Sequence, residues 1–315
     1  MRYRRRQKAF VIFLFLLLFL LLSVLFYSVL GTGDNKSNKI VSPLSGIMDL
    51  ISESKLNKIV EKHFSKDEGD WAVYIKNLKT GESFGFNENK QFNSASLYKL
   101  WVLAVALEQI NEGRLLETQV LSAEKEKLDE RLGLITPTPE GSEETEAKEK
   151  EEEKEIEYVS MVAGEAIEKM ITISDNYSAL LVSNRVGSSN ITNFLEEYNF
   201  DDSNYKSPPQ TTASDIANYF EFLYKGDFID KEASDEMIEI LKRQTFDDRI
   251  PKYLPENIET AHKTGELFGN KHDAGIVFAP NGDYIIVVMS KTESEATAAE
   301  KIAEFSKEIY DYFQE

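Results

Sequence analysis

Segments with the two-residue alternation of β-strands lie near the two ends of this 315-residue chain, and a long helical block separates them. Trp71–Asn77 and Ser83–Asn87 read as strands joined by a turn at Lys79-Thr80-Gly81. After Pro255 the period becomes extended again. Ile258–Thr264, His272–Ala279 and Tyr284–Lys291 read as three more strands, with Asn281-Gly282 as the hairpin turn between the last two. Between these groups the apolar residues recur at helical spacing over Ser96–Asn111, Tyr158–Thr172, Asn176–Val186, Ser189–Tyr198, a segment opened by the capping box Thr212–Asp215, and Asp230–Gln244. A helical stretch after Pro43 (Ile47, Leu50, Ile51, Leu56, Ile59, Val60) and an amphipathic helix with Ile302, Phe305, Ile309 and Phe313 flank the whole. Strands from both ends are most simply joined in one antiparallel sheet. The helical block then forms a second lobe, with a cleft between the two. The expected fold class is α/β (α+β).

The amino terminus sets the compartment. Ala9–Leu30 holds no charge, and its twenty-two residues, at about 1.5 Å each, span roughly 33 Å as a helix, enough to cross a bilayer. Arg2, Arg4, Arg5, Arg6 and Lys8 precede it, which keeps the short amino end cytoplasmic. The run is long for a signal peptide and is not followed by a clean cleavage site, so an uncleaved anchor is expected. Residues 1–8 then form a basic tail, 9–30 the transmembrane anchor, 31–43 a polar linker and 44–315 an extracytoplasmic domain in the cell envelope. In that domain the sheet lobe takes 44–95 and 256–315, and the helical lobe 96–255. Thr138–Glu157, with ten Glu and three Lys, interrupts the helical lobe as a solvated acidic insertion.

Composition excludes several functions. A net charge of −19 is the wrong sign for a nucleic-acid surface. The chain has no cysteine and only three histidines, His63, His262 and His272. Thiol nucleophiles and cysteine-bound zinc are therefore excluded, and no His-Glu-x-x-His pattern offers a zinc hydrolase. Neither metal nor cofactor is expected, and the domain is expected to be monomeric.

Three short motifs carry chemistry. Ser96-Leu97-Tyr98-Lys99 starts a helix, where positions i and i+3 share a face. Lys99 could then hydrogen-bond Ser96 and help take its proton. Ser52, Ser122 and Ser203 also have a lysine three residues on, so the motif alone is weak. Ser174-Asp175-Asn176 occurs once, between two helices. Its hydroxyl could pass a proton to a leaving nitrogen, and Asn176 could hold substrate or Lys99; the same letters also suit a helix cap. Lys263-Thr264-Gly265 ends a strand. There Lys263 could attract a carboxylate, Thr264 could hydrogen-bond it, and Gly265 would let substrate backbone lie along the strand edge. Lys79-Thr80-Gly81 reads as an ordinary turn. The three motifs in this order, each in a fitting local context, point to one site.

On these motifs, with Phe92–Leu100 and His262–Leu267 followed by His272–Val277, the chain resembles the class A β-lactamases and their penicillin-binding relatives. The resemblance implies an α/β sheet lobe packed on an all-helical lobe. It also implies an acyl-enzyme on Ser96 and an oxyanion hole from the backbone N–H groups of Ser96 and Glu266. Substrates would be β-lactams or peptidoglycan stems ending in D-Ala-D-Ala. One departure stands out. The segment before the helix at Thr211–Asp215, Phe200–Gln210, contains no glutamate to activate a deacylating water. Asp201 and Asp202 are its only acids, and neither is assigned as base. A β-lactamase with slow release is therefore expected, with a D,D-peptidase or a penicillin-binding protein of little turnover as alternatives.

Overall fold

The computed structural model describes residues 55–64, 69–135 and 156–315. The expected anchor at 9–30, the linker at 31–43 and most of the acidic insertion lie outside the described residues. Among those described, no helix is long and apolar enough to cross a membrane.

Five strands form one antiparallel sheet: β1 (Asp70–Asn77), β2 (Ser83–Phe86), β7 (Glu259–Leu267), β8 (Asn270–Phe278) and β9 (Tyr284–Lys291), in the order β2-β1-β9-β8-β7. Strands from the two ends of the chain thus meet where β1 pairs with β9, Ala72 opposite Met289 and Tyr74 opposite Val287. The alternation of side chains sorts β9 between two cores. Tyr284, Ile286 and Val288 join Val73 and Ile75 on one face; Ile285, Val287 and Met289 join Ala72 on the other. Both faces are covered, which is why β9 reads as an unbroken apolar run.

The first face is covered by α1 (55–64), through Leu56, Val60 and Phe64, and by the carboxy-terminal helix through Ile302, Phe305 and Ile309. The second face carries the helical lobe. At its centre is α2 (Lys99–Asn111), in which every residue from Lys99 to Leu107 is buried. Around it stand α3 (Lys125–Arg131), α4 (Ala163–Thr172), α5 (Asn176–Val186), α6 (Ser188–Glu197), α7 (Ala213–Lys225) and α8 (Lys231–Lys242), and the carboxy-terminal helix is α9 (Glu295–Gln314). The ends follow local rules. Thr212 Oγ1 accepts from Asp215 N at 3.2 Å and caps α7, and Gly226, at φ 73°, ends it in the left-handed region that a residue without Cβ adopts freely. Tyr219 ties α7 to the start of α2 by donating to Leu100 O at 2.9 Å.

One expectation is corrected. Tyr158–Thr172 reads as a single helix in the sequence, but only Ala163–Thr172 is helical. Tyr158–Val162 is a strand, β5, pairing with β4 (Val120–Glu124) from Glu124 opposite Tyr158 to Val120 opposite Val162. The ribbon buries Leu121 and packs Ala123, Val159 and Met161 on the helical core while its other face is open. Five residues apolar at every second position over one buried face satisfy a strand as well as a helix start, and the partner lies far upstream. The acidic insertion departs from this ribbon, and its last residue is anchored: Lys125 N donates to Glu157 O at 2.8 Å.

Two short strands, β3 (Phe92–Asn93) and β6 (Gln210–Thr211), pair beside the sheet. His272 fastens β8 to them. Ser290 N donates to its Nδ1 at 3.1 Å, which leaves the proton on Nε2 to donate to Asn93 O at 2.9 Å. His272 is therefore a neutral structural strut.

Two stability predictions follow from this packing. At Gly275 a Cβ would lie 2.7 Å from His262 Cα on the neighbouring strand. Backbone cannot yield there, so Gly275→Ala should lose about 3 kcal/mol or more of stability in urea denaturation. Burial, helped by the charge of Arg249, lowers the His272 pKa from 6.5 to about 4. Between those values the unfolded chain binds a proton that the folded one does not. His272 should therefore contribute about 3 kcal/mol that is present above pH 6.5 and lost as pH falls towards 4. His272→Gln, which can keep both hydrogen bonds without titrating, should show a flatter stability profile across that window than the parent.

Candidate active site

The candidate nucleophile sits on a strained turn. Ala95–Tyr98 is a 3-10 turn leading into α2, and Ala95 is held at φ 46°. A non-glycine residue in this region costs about 1–3 kcal/mol and persists only where its surroundings enforce it. Four hydrogen bonds do so here. Ala95 N donates to Asn93 Oδ1 at 2.9 Å, Ser94 N to Pro209 O at 2.9 Å and Leu97 N to Ser94 O at 2.9 Å, while His272 holds Asn93 O. Ser96 is half-buried at the tip.

Lys99, the first residue of α2, is fully buried. Its ammonium donates to Ser174 O at 2.6 Å, Asn176 Oδ1 at 2.9 Å and Ser174 Oγ at 3.2 Å. All three donors are spent, and the contact with Ser96 expected from their spacing is not made. A carbonyl and an amide oxygen are stronger acceptors than a hydroxyl, and Ser96 belongs to the turn rather than to the α-helix. Burial lowers the Lys99 pKa to about 7, against the opposing pull of Asp175.

Ser174 is the junction. It lies between α4 and α5 at φ 53°, with Asp175 N donating to Lys169 O at 3.1 Å and Asp175 capping α5 through Ser178 N at 2.7 Å. The helix-cap reading of this motif is therefore correct for Asp175. Lys263 Nζ, also fully buried, donates to Ser174 Oγ at 3.1 Å and to Thr264 O at 2.9 Å. The Ser174 oxygen thus accepts from two ammonium groups, which leaves its own O–H to donate outward. Burial, then the charges of Lys99 and Arg249, hold the Lys263 pKa well below the usual lysine range, while Asp273 opposes them.

The remaining candidate residues lie along β7. Gly265 lies at a close approach: a Cβ there would meet Leu97 Cγ, Ser94 O and His272 Cδ2, each at 3.2 Å. This brings β7 directly against the Ser96 turn, and the next residue is Glu266. Thr264 is buried, and Asn176, exposed at the start of α5, holds Lys99 with its oxygen. The structure therefore assembles Lys99, Ser174, Asn176, Lys263 and Thr264, and sets the Ser96 turn against Gly265. Lys79 of the other Lys-Thr-Gly copy donates to Asn281 O at 3.3 Å, in a turn at the far end of the sheet.

One charged residue near the site was not legible from the sequence. Arg249, 2% exposed, donates to His272 O at 3.3 Å and to Glu266 Oε2 at 2.7 Å. Its surroundings in the sequence, Asp247-Asp248-Arg249-Ile250-Pro251, carry no motif. Phe200–Gln210 runs close by. Asp201 and Asp202 are exposed, and the buried acid below them, Asp215, accepts from Asp202 N at 3.1 Å and Ser203 Oγ at 2.7 Å.

Comparison with known proteins agrees with this architecture. PBP-A is similar over 83% of this chain and 96% of its own, at 22% identity and a TM-score of 0.69. A mutant of PBP-A in an acyl-enzyme complex with penicillin-G aligns over 84% and 97%, at 22% identity and a TM-score of 0.68. A beta-lactamase from Sphaerobacter thermophilus aligns over 83% and 97%, at 19% identity and a TM-score of 0.70. These likenesses establish the fold. No curated protein matches the sequence. A sequence profile of the beta-lactamase enzyme family matches residues 52–313, and the chain is on that ground a serine hydrolase belonging to the beta-lactamase enzyme family.

Proposed function

We propose that the protein is acylated by β-lactams on Ser96 and releases the product slowly. The observation that carries this reading is the convergence of two buried lysine side chains on one hydroxyl, Ser174 Oγ, one of them three residues after Ser96. With a pKa near 7, Lys99 is substantially a neutral amine at neutral pH. A neutral amine has two N–H donors and one lone pair. It keeps its two shorter bonds, to Ser174 O and Asn176 Oδ1, and its lone pair becomes free to take a proton.

In the proposed reaction Ser96 Oγ attacks the amide carbonyl carbon and its proton passes to Lys99. The carbonyl oxygen takes the developing negative charge and is stabilised by the backbone N–H groups of Ser96 and Glu266. The C–N bond then breaks. The leaving nitrogen takes the Ser174 proton, and Lys99 returns one to Ser174. Lys263 and Thr264 hold the substrate carboxylate, and Asn176 supports both Lys99 and substrate. The acyl-enzyme complex known for the PBP-A mutant supports the same chemistry here.

Hydrolysis of the ester needs an activated water. Asp201 and Asp202, the acids of Phe200–Gln210, are exposed, and the carboxylate of the neighbouring Asp215 is taken by Asp202 N and Ser203 Oγ. General-base assistance is worth about 10²–10⁴-fold, so its loss should leave the ester long-lived. This also favours the second reading, a D,D-peptidase on D-Ala-D-Ala stems at the membrane surface. We place the domain outside the cytoplasm on an anchor at 9–30, a placement that rests on the sequence.

Two experiments test this. When the purified full-length chain is incubated with a fluorescent penicillin, mass spectrometry should find one adduct, on Ser96, persisting over many half-times of acylation. Ser96→Ala should give none. Rapid release would replace the slow-turnover reading with an efficient β-lactamase, and an unlabelled parent protein would end the proposal. The acylation rate should rise with pH through about 7, because the neutral amine is the active form. Lys99→Arg, which cannot lose its proton, should acylate at least about 10²-fold more slowly.

A further inference from the structure

The end of β7 holds a carboxylate in an unusual setting. Arg249 and Lys271 have side chains only 2% and 8% exposed, and both point at Glu266, whose side chain is 49% exposed. Arg249 Nη2 donates to Glu266 Oε2 at 2.7 Å and Lys271 Nζ donates to the same oxygen at 2.6 Å. Two nearly buried cations thus share a single carboxylate oxygen, and the carboxylate itself opens to solvent. Glu295, across the turn, accepts from Gly269 N at 2.9 Å, and its side chain also hydrogen-bonds Glu266, so a second acidic group lies beside the first. These groups adjoin the reacting centre. Glu266 is one residue from Gly265, which packs on the Ser96 turn, and the charge of Arg249 is felt by Lys263.

Such an arrangement has the form of an occupied anion site. Buried cations need a counter-charge, and removing one partner of a buried pair leaves the other uncompensated. Without Glu266, the two buried cations Arg249 and Lys271 would leave the end of β7 positive, with Asp248 Oδ1, 3.4 Å from Arg249 Nε, as the remaining ion-pair partner. With it, the Arg249 fork is already engaged when substrate arrives. We propose that the Glu266 side chain is a specificity-determining group: a resident carboxylate that occupies Arg249 and Lys271 and so weakens the capture of substrates that are anionic beside the scissile amide. Neutral or amidated leaving groups gain from this relative to free carboxylates. The inference rests on acylation at Ser96, as read above, and deepens it by naming the substrate class.

The test compares benzylpenicillin with its neutral methyl ester on the parent protein, Glu266→Gln and Glu266→Ala. Each second-order rate constant of Ser96 acylation is measured by intact-protein mass spectrometry. Removal of the carboxylate should raise the acid-to-ester ratio of rate constants by about tenfold, the size of one charge-assisted contact. The ratio should also become more sensitive to salt, as an unshielded cationic site requires. Taking the ratio cancels any general loss from disturbing β7, and the alanine variant covers the case in which the amide of glutamine misfolds the site. A ratio that is unchanged, or that falls because Glu266 merely positions Arg249 for substrate, would overturn the inference. Failure of the parent protein to acylate with either compound would instead remove the acylation reading itself.

Discussion

Two desolvated lysines kept at hydrogen-bond distance from one serine oxygen constrain the rest of this fold. Lys99 and Lys263 come from opposite lobes, one on the central helix α2 and the other on the sheet strand β7, and Ser174 Oγ is where they meet. Burying an ammonium group is expensive, and burying two beside each other is more so. Here the expense appears in the lowered pKa values, and it is offset by placing a carbonyl, an amide and a hydroxyl oxygen within reach of Lys99 and a carbonyl and a hydroxyl oxygen within reach of Lys263. The rigid helical core and the doubly covered β9 keep these acceptors from relaxing away. Proton affinity is thus set by packing between the lobes.

Strain is concentrated at the same place. Ala95 and Ser174 both hold left-handed backbone, one beside the Ser96 turn and one at the junction of the lysines. Neither can relax without breaking hydrogen bonds that tie β3, β6 and α5 to the frame. His272 belongs to this support. Its fixed neutral tautomer links the sheet interior to the strand immediately before Ser96.

Much of this was legible in the sequence because its signals are local. Strand alternation, the Asn281-Gly282 turn and the Thr212 cap each depend on a few neighbouring residues, and the three motifs sit on a helix start, an interhelical turn and a strand. Features made by distant partners were not legible. The β4–β5 ribbon depends on a pairing across the acidic insertion, so its second strand passes for the first turn of α4. Arg249 acquires meaning only from Glu266 and His272, which lie 17 and 23 residues away in sequence and touch it only once the chain is folded. The Ser96–Lys99 hydrogen bond was read from spacing alone, and the Ser174 carbonyl in the interhelical turn and the Asn176 amide oxygen at the start of α5 take the lysine instead.

The ribbon has a consequence for how this protein can change. Lys125 N bonds Glu157 O, and Lys125 Nζ pairs with the Glu157 carboxylate at 2.9 Å, so the two stems of the insertion are clamped together. The entropy of closing a loop grows only with the logarithm of its length, about 0.6 kcal/mol for each doubling. With the stems fixed, residues can be gained or lost between them at little thermodynamic expense and without moving the serine or its lysines. That makes the ribbon the natural point at which descendants of this sequence would diverge in length while their chemistry stays put.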